Sequence, residues 1–148
     1  MKKISTKVHG MADYPTNALI AASPYLLGFA EGGAETIIPA VVGGSGIVAS
    51  MCTDYEMGLT DLIPMKSHLA LDVANGLFLA ISPWVFGFSK KVWAPHLILG
   101  LLEAGTALMT SDQPGGNPEG IEVDEETEDF LENTHLRGRA RALANNLH

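Results

Sequence analysis

The sequence predicts an all-α fold: a four-transmembrane-helix bundle made of two parallel-repeated helical hairpins, followed by a polar C-terminal tail. Three observations predict it. Four apolar stretches run approximately from Gly10 to Phe29, Ile37 to Cys52, Leu69 to Phe88 and Val92 to Met109. Each approaches the ~20 residues that a helix needs to cross a ~30 Å hydrocarbon layer. Residues 9–29 read over residues 68–88 without a gap, and the composition changes sharply after residue 112.

The first and third spans carry the duplication. His9 falls on His68, Asp13 on Asp72, Ser23-Pro24-Tyr25 on Ser82-Pro83-Trp84, and Gly28-Phe29 on Gly87-Phe88. The second and fourth spans align more loosely, Pro39 with Pro95 and "TDYEMG" at 53–58 with "TSDQPG" at 110–115. This gives a transmembrane domain over residues 1–112, with repeat 1 at about 5–58 and repeat 2 at about 64–112. Two spans per repeat keep both copies in one orientation, so the repeats are expected to be parallel about an axis along the membrane normal. A soluble core of buried helices is the competing reading. It is disfavoured because four uniformly apolar helices leave little polar face for water.

Charge sets orientation and excludes partners. Residues 1–112 hold six lysines against nine acids, and residues 113–148 hold three arginines against eight acids. A net charge of −8 without clustered cations argues against nucleic acid, whose phosphates need clustered Lys and Arg. With the N-terminus inside, Lys2, Lys3, Lys7, Lys66, Arg137, Arg139 and Arg141 are cytoplasmic, and only Lys90 and Lys91 lie outside. That imbalance places both termini in the cytoplasm. The opening "MKKISTK" is read as leading into a retained first span, because Asp13 and Pro15 interrupt the apolar run. The single cysteine, Cys52, leaves no internal disulfide and reads as a small apolar side chain.

At these residues the chain resembles the SPW-repeat family of small bacterial membrane proteins. The resemblance rests on Ser82-Pro83-Trp84 with its counterpart Ser23-Pro24-Tyr25, the "HGMADY" and "HLALD" openings, and the "TDYEMG" hairpin exit. It covers roughly residues 5–112, and Tyr25 stands where the signature has Trp. It implies a multi-pass protein of the bacterial cytoplasmic membrane with two hairpins, and it implies no particular reaction.

Ser-Pro-aromatic has a physical use in such a helix. Pro24 and Pro83 remove a backbone donor and should bend or end their helices near the outer face. Ser23 and Ser82 can hydrogen-bond to the carbonyls freed there, where lipid offers no water. Tyr25 and Trp84 suit the headgroup level, ring inward and polar atom outward. The glycines of "VVGGSG" at 41–46, and Gly100 with Ala104 and Gly105, make small-residue surfaces. These serve packing within the bundle, self-association, or docking to another membrane subunit.

The candidate chemistry lies in the duplicated pairs His9/Asp13 and His68/Asp72. At i and i+4 each pair shares one helix face, and both pairs begin their spans on the same side. Quasi-twofold packing would gather two imidazoles and two carboxylates between the helices, where ionisable groups face inward and find partners. Three readings stay open: a structural tie between the repeats, a proton-handling or polar-substrate site, and a divalent-metal site. Glu103 sits mid-span, with His96 two turns earlier on the same face, and both join the candidate polar cluster. Asp54 and Glu56 are read as solvated loop acids. The glycines of "VVGGSG" lack the Lys-Ser/Thr of a phosphate loop, and no catalytic constellation is complete. No organic cofactor is expected, and a divalent metal is the one candidate ligand.

The tail divides in two. "SDQPGGNPEG" at 111–120 has linker composition. Leu136, Ala140, Leu143 and Leu147 then space an apolar stripe beside Arg137, Arg139 and Arg141, as in an amphipathic helix lying on lipid or a partner, with a disordered tail as the equal alternative. The sequence as a whole predicts a non-enzymatic accessory or interaction subunit of a membrane assembly. A proton or metal-ion conduit or binding protein, built on the His/Asp pairs, is the alternative.

Overall fold

The computed structural model describes residues 4–112; the tail, with its proposed linker and amphipathic helix, lies outside the described residues. Within them the chain forms four helices, α1 (Thr6–Leu26), α2 (Ala34–Cys52), α3 (Met65–Val85) and α4 (Ala94–Met109). Helices α1 and α2 form one hairpin and α3 and α4 the other. The hairpins meet mainly through α2 and α3, and more loosely through α1 and α4, which puts α1 and α3 on one diagonal.

Glycine decides how closely each hairpin closes. A Cβ on Gly43 would lie 2.3 Å from the Asn17 carbonyl oxygen, and one on Gly100 would lie 2.3 Å from that of Gly76. In each hairpin, then, backbone packs on backbone. By contrast, nothing lies within 4 Å of a Cβ built on Gly44 or Gly105. The small residues at 43 and 100 are thus used inside the chain.

The repeat is visible in backbone pairing. Strand β1 (Thr53–Asp54) leaves α2 and pairs in parallel with β2 (Ile63–Pro64), which leads into α3. The same bridge recurs between Ile4, which leads into α1, and Thr110, which leaves α4. One end of the bundle is therefore ringed by equivalent backbone ties; it is called the paired end below.

The opposite, proline end is equally repetitive. Pro24 has no N–H to give the Ile20 carbonyl, and the Ser23 hydroxyl donates to that oxygen instead at 2.8 Å. Ser82 does the same for the Leu79 carbonyl, at 2.8 Å, beside Pro83. Both helices then stop within a few residues, and Gly28 (φ 73°) and Gly87 (φ 76°) turn the chain in the left-handed conformation that suits glycine. Tyr25 and Trp84 project outward, 71% and 53% exposed. Between the two helix ends Lys91 bonds Glu31 and Glu35, and these hydrogen bonds hold its ammonium group above its ordinary pKa.

Two sequence expectations need adjusting. Helices α1 and α3 begin and end three to four residues earlier than the apolar stretches, because Ser5 caps α1 and the glycines end both. And Pro39 does not correspond to Pro95. The helix exits are in register at Thr53 and Thr110, whose N–H groups bond Ser50 and Ala107, so Pro39 falls opposite His96. Pro95 instead occupies the first turn of α4, where a missing N–H costs nothing.

Polarity is inverted relative to a water-soluble bundle. His68, Asn17, Ser50 and Ser82 are fully buried, while Leu26, Val41, Phe78, Ile98 and Leu108 are among many exposed large apolar side chains. Helices α2 and α3 are long and apolar enough to cross a membrane; α4 is apolar but has 16 residues.

If close backbone approach holds each hairpin, Gly100→Ala should lower the thermal unfolding midpoint in detergent, at a cost of about 1–3 kcal/mol for overpacking. Gly105→Ala should leave the midpoint unchanged or raise it.

Candidate metal centre

The paired end carries the site. Its first element is the helix spacing that puts His9 and Asp13 on one face of α1 and His68 and Asp72 on one face of α3. Since α1 and α3 face each other across the bundle, the four side chains converge, and all four are buried. One donor atom from each can be chosen so that all lie within 4.8 Å of one another.

Four of the six donor separations are 3.5 Å or less. His9 Nε2 lies 3.4 Å from His68 Nε2. Asp72 Oδ2 lies 3.2 Å from His9 Nε2 and 3.1 Å from His68 Nε2. Asp13 Oδ2 lies 3.5 Å from His68 Nε2. The two imidazoles meet edge to face, with ring centroids 5.5 Å apart at 85°.

Surrounding groups fix how these donors point. The Thr110 hydroxyl donates its one proton to the Thr106 carbonyl at 2.7 Å. Its oxygen is then an acceptor for His9 Nδ1–H, 3.1 Å away. With the proton on Nδ1, a neutral His9 turns a lone pair on Nε2 toward His68 and Asp72. Asp13 is held at both oxygens: Asn17 Nδ2 donates to Oδ1 at 2.9 Å, and the Ser50 hydroxyl, which also lies against the Gly46 carbonyl, donates to Oδ2. Tyr55 stacks on His68 at 5.9 Å and 23°, in space left by Gly10, whose Cβ would strike its ring. Asp72 has no equivalent of Asn17, because Gly76 stands at that position, and neither of its oxygens has a hydrogen-bond partner beyond the two imidazoles.

Such a set can do two things. Two ionised carboxylates buried together require two positive charges. Either both imidazoles take a proton, or one divalent ion replaces those protons. Nitrogen and oxygen donors of this kind suit zinc and its first-row neighbours.

The other sequence candidates are placed differently. Glu103 is buried on α4 and borders a cavity that His9 and Asp13 also line. His96 is not brought to the cluster. It lies seven residues nearer the proline end, between Phe29 and Phe88, with ring centroids 5.4 and 5.0 Å away. There its Nε2 donates to the Glu35 carbonyl at 3.2 Å, the oxygen that Pro39 leaves without a helical partner. His96 thus repairs a proline-broken helix, as Ser23 and Ser82 do. Asp54 and Glu56 are exposed, and Glu56 accepts a hydrogen bond from Thr6 at 2.9 Å.

Asn17, Ser50, Thr110 and Tyr55 were not singled out by sequence reasoning. A signal existed for two of them: Asn17 stands four residues after Asp13, and Thr110 aligns with Thr53 at the helix exits.

Comparison with known proteins gives a match to the SPW repeat domain over residues 7–110. No curated protein and no solved structure matches the chain significantly.

The Glu35 carbonyl provides a coupling test. His96→Phe should destabilise the bundle by about 1–3 kcal/mol, since it leaves a buried carbonyl unpaired. In a Pro39→Ala background, where the substituted residue supplies its own N–H, the same change should cost clearly less in thermal or denaturant unfolding.

Proposed function

Because the chain belongs to the SPW repeat family, whose domain takes in both hairpins, we propose that it is a membrane protein that binds one divalent transition-metal ion between its repeats. On this reading it lies in the bacterial cytoplasmic membrane with four spans and both termini inside. The inverted polarity supports insertion: lipid tolerates the exposed leucines and valines, and the ionisable groups are turned inward. Helix α1 carries His9, Asp13 and Asn17 and is the least apolar of the four. It crosses because those groups face the interior rather than lipid.

One observation carries the metal reading. Four donors at about 2.0–2.1 Å around a tetrahedral ion stand about 3.3–3.4 Å from one another. Four of the six donor separations are 3.1, 3.2, 3.4 and 3.5 Å, close to that spacing, and all six lie within 4.8 Å. A proton relay would use the same residues, but it does not call for two imidazole Nε2 atoms facing each other and one carboxylate oxygen. The Nδ1–H bond from His9 to Thr110 is the orientation that outer partners give to metal-ligating histidines. The accessory-subunit reading drew on small-residue faces, and Gly43, Gly76 and Gly100 are occupied within the hairpins. Its remaining support is size, the open small-residue positions Gly44 and Gly105, and the C-terminal tail. The lipid bilayer is the partner this reading requires.

The test is metal stoichiometry. The chain purified in mild detergent with zinc or cobalt should hold one ion per chain by elemental analysis after desalting. His9→Ala and His68→Ala should each abolish it, and His96→Ala should keep it. Equal metal in the wild type and in a His9→Ala/His68→Ala double variant would refute the proposal.

A further inference from the structure

The four donors leave one ionisable side chain of the interior unexplained. Glu103 on α4 is 4% exposed, yet among the described residues neither of its carboxylate oxygens has a hydrogen-bond partner. A buried acid with no donor is costly unless a ligand completes it. Glu103 lines a cavity of about 160 Å³ between α1 and α4, together with His9, Asp13, Thr16 and Thr106. Two walls of the cavity are therefore donors of the proposed metal centre, and a third is an unpartnered carboxylate.

The position of this cavity follows from the way the repeats differ. Each hairpin is closed by backbone contact at Gly43 or Gly100, so an ion cannot pass within a hairpin without prising its helices apart. Between the hairpins, α2 and α3 meet extensively, whereas α1 and α4 meet little. In the register set by Thr53 and Thr110, Glu103 corresponds to Gly46 of α2. In the first hairpin Gly46 leaves its space to the Asn17 side chain, whereas in the second Gly76 stands opposite and the polar group is Glu103 itself, beside the cavity.

We propose that Glu103 is the exchange ligand of the site: its carboxylate takes a divalent cation in the α1–α4 cavity and passes it to and from His9 and Asp13. A hydrated ion cannot lose all its water at once without a large penalty. A carboxylate one step before the four donors replaces part of that shell, so each transfer exchanges one oxygen for another. Glu103 is thus a transient ligand for uptake and release, and it is not one of the four resident donors. This inference rests on the metal reading above, and the experiment separates the two.

The full chain in detergent is loaded with cobalt(II), and its transfer to excess EDTA is followed by stopped-flow absorbance, with loading measured in the reverse direction. Glu103→Gln, which keeps shape and removes charge, should slow both directions on the order of tenfold while the dissociation constant moves by less than about threefold. Ala12→Phe, at an exposed position on the cavity wall, should slow them too by filling the passage, and it carries the test if the glutamine variant folds poorly. Wild-type rates in both variants, with one ion still bound, would overturn the exchange role and leave the metal centre standing. Loss of equilibrium binding in Glu103→Gln, as in His9→Ala, would overturn it by making Glu103 a resident ligand. A wild-type chain that takes up no cobalt would overturn both readings together.

Discussion

Two carboxylates and two imidazoles buried within a few ångströms of each other are the constraint on which the rest of the molecule depends. Like charges at that separation repel by several kcal/mol even at an effective dielectric of ~20. The repulsion must therefore be relieved by a proton on one carboxylate, by protons on His9 and His68, or by a cation. The groups around the cluster make sense in that light. Thr110 presents an acceptor to the far side of His9, and Asn17 and Ser50 present donors to Asp13. Thr110 and Asn17 bond the atom of their residue that faces away from the shared centre, whereas Ser50 bonds the Asp13 oxygen that faces it. The ties also cross between elements: α1 bonds α2 through Ser50 and the end of α4 through Thr110, and reaches α3 through the imidazole pair. Removing the cluster would remove the polar link at the centre of the paired end, leaving the backbone ties there and the Lys91 and His96 bonds at the proline end.

A second constraint comes from the backbone. In a membrane a carbonyl freed by proline has no water to turn to. Three prolines within the helices free a carbonyl that another side chain then meets: Ser23 for Pro24, Ser82 for Pro83 and His96 for Pro39. The first two act from the adjacent residue, which is why Ser-Pro appears as a unit in both halves. The third acts across the bundle, from the residue that occupies the same place in the other repeat. His96 therefore joins the hairpins at the proline end as the His/Asp cluster does at the paired end. One histidine tightens the scaffold while two others meet at its centre, and only the neighbouring atoms tell these roles apart.

This difference marks what the sequence could and could not reveal. The four helices, the duplication and the pairing of His9, Asp13, His68 and Asp72 were legible because they rest on spacing: one turn within each pair, one gapless alignment between pairs. Helix boundaries were displaced because hydropathy begins at the first apolar residue, whereas the helix begins at the Ser5 cap. Pro39 and Pro95 invited alignment by identity, but the connections before α2 and α4 differ in length and shift the register until the common exit at Thr53 and Thr110. His96 looked like part of the cluster because it shares a face with Glu103. Seven residues along a helix is about 10 Å, enough to carry it to another layer. Ser50 and Asn17 were not legible, since a small polar residue in an apolar helix reads the same whether it bonds its own turn or a carboxylate on another helix.

Duplication also explains why the site is symmetric at its centre and asymmetric at its edge. On the metal reading an ion between the repeats would take the same donors from both copies, and His and Asp stand at both positions. Residues one layer away are not bound by that requirement. Asn17 in the first repeat becomes Gly76 in the second, and Gly46 in the first becomes Glu103 in the second. The large polar side chain has moved from the first helix of its hairpin to the second. As a result Asp13 has an amide partner and Asp72 has none, and the extra carboxylate sits at the seam where the helices stand furthest apart. A fully symmetric bundle would hold its centre equally closed on both sides. With symmetry broken at these two positions, a single side of the molecule combines a cavity, a buried carboxylate and two of the central donors.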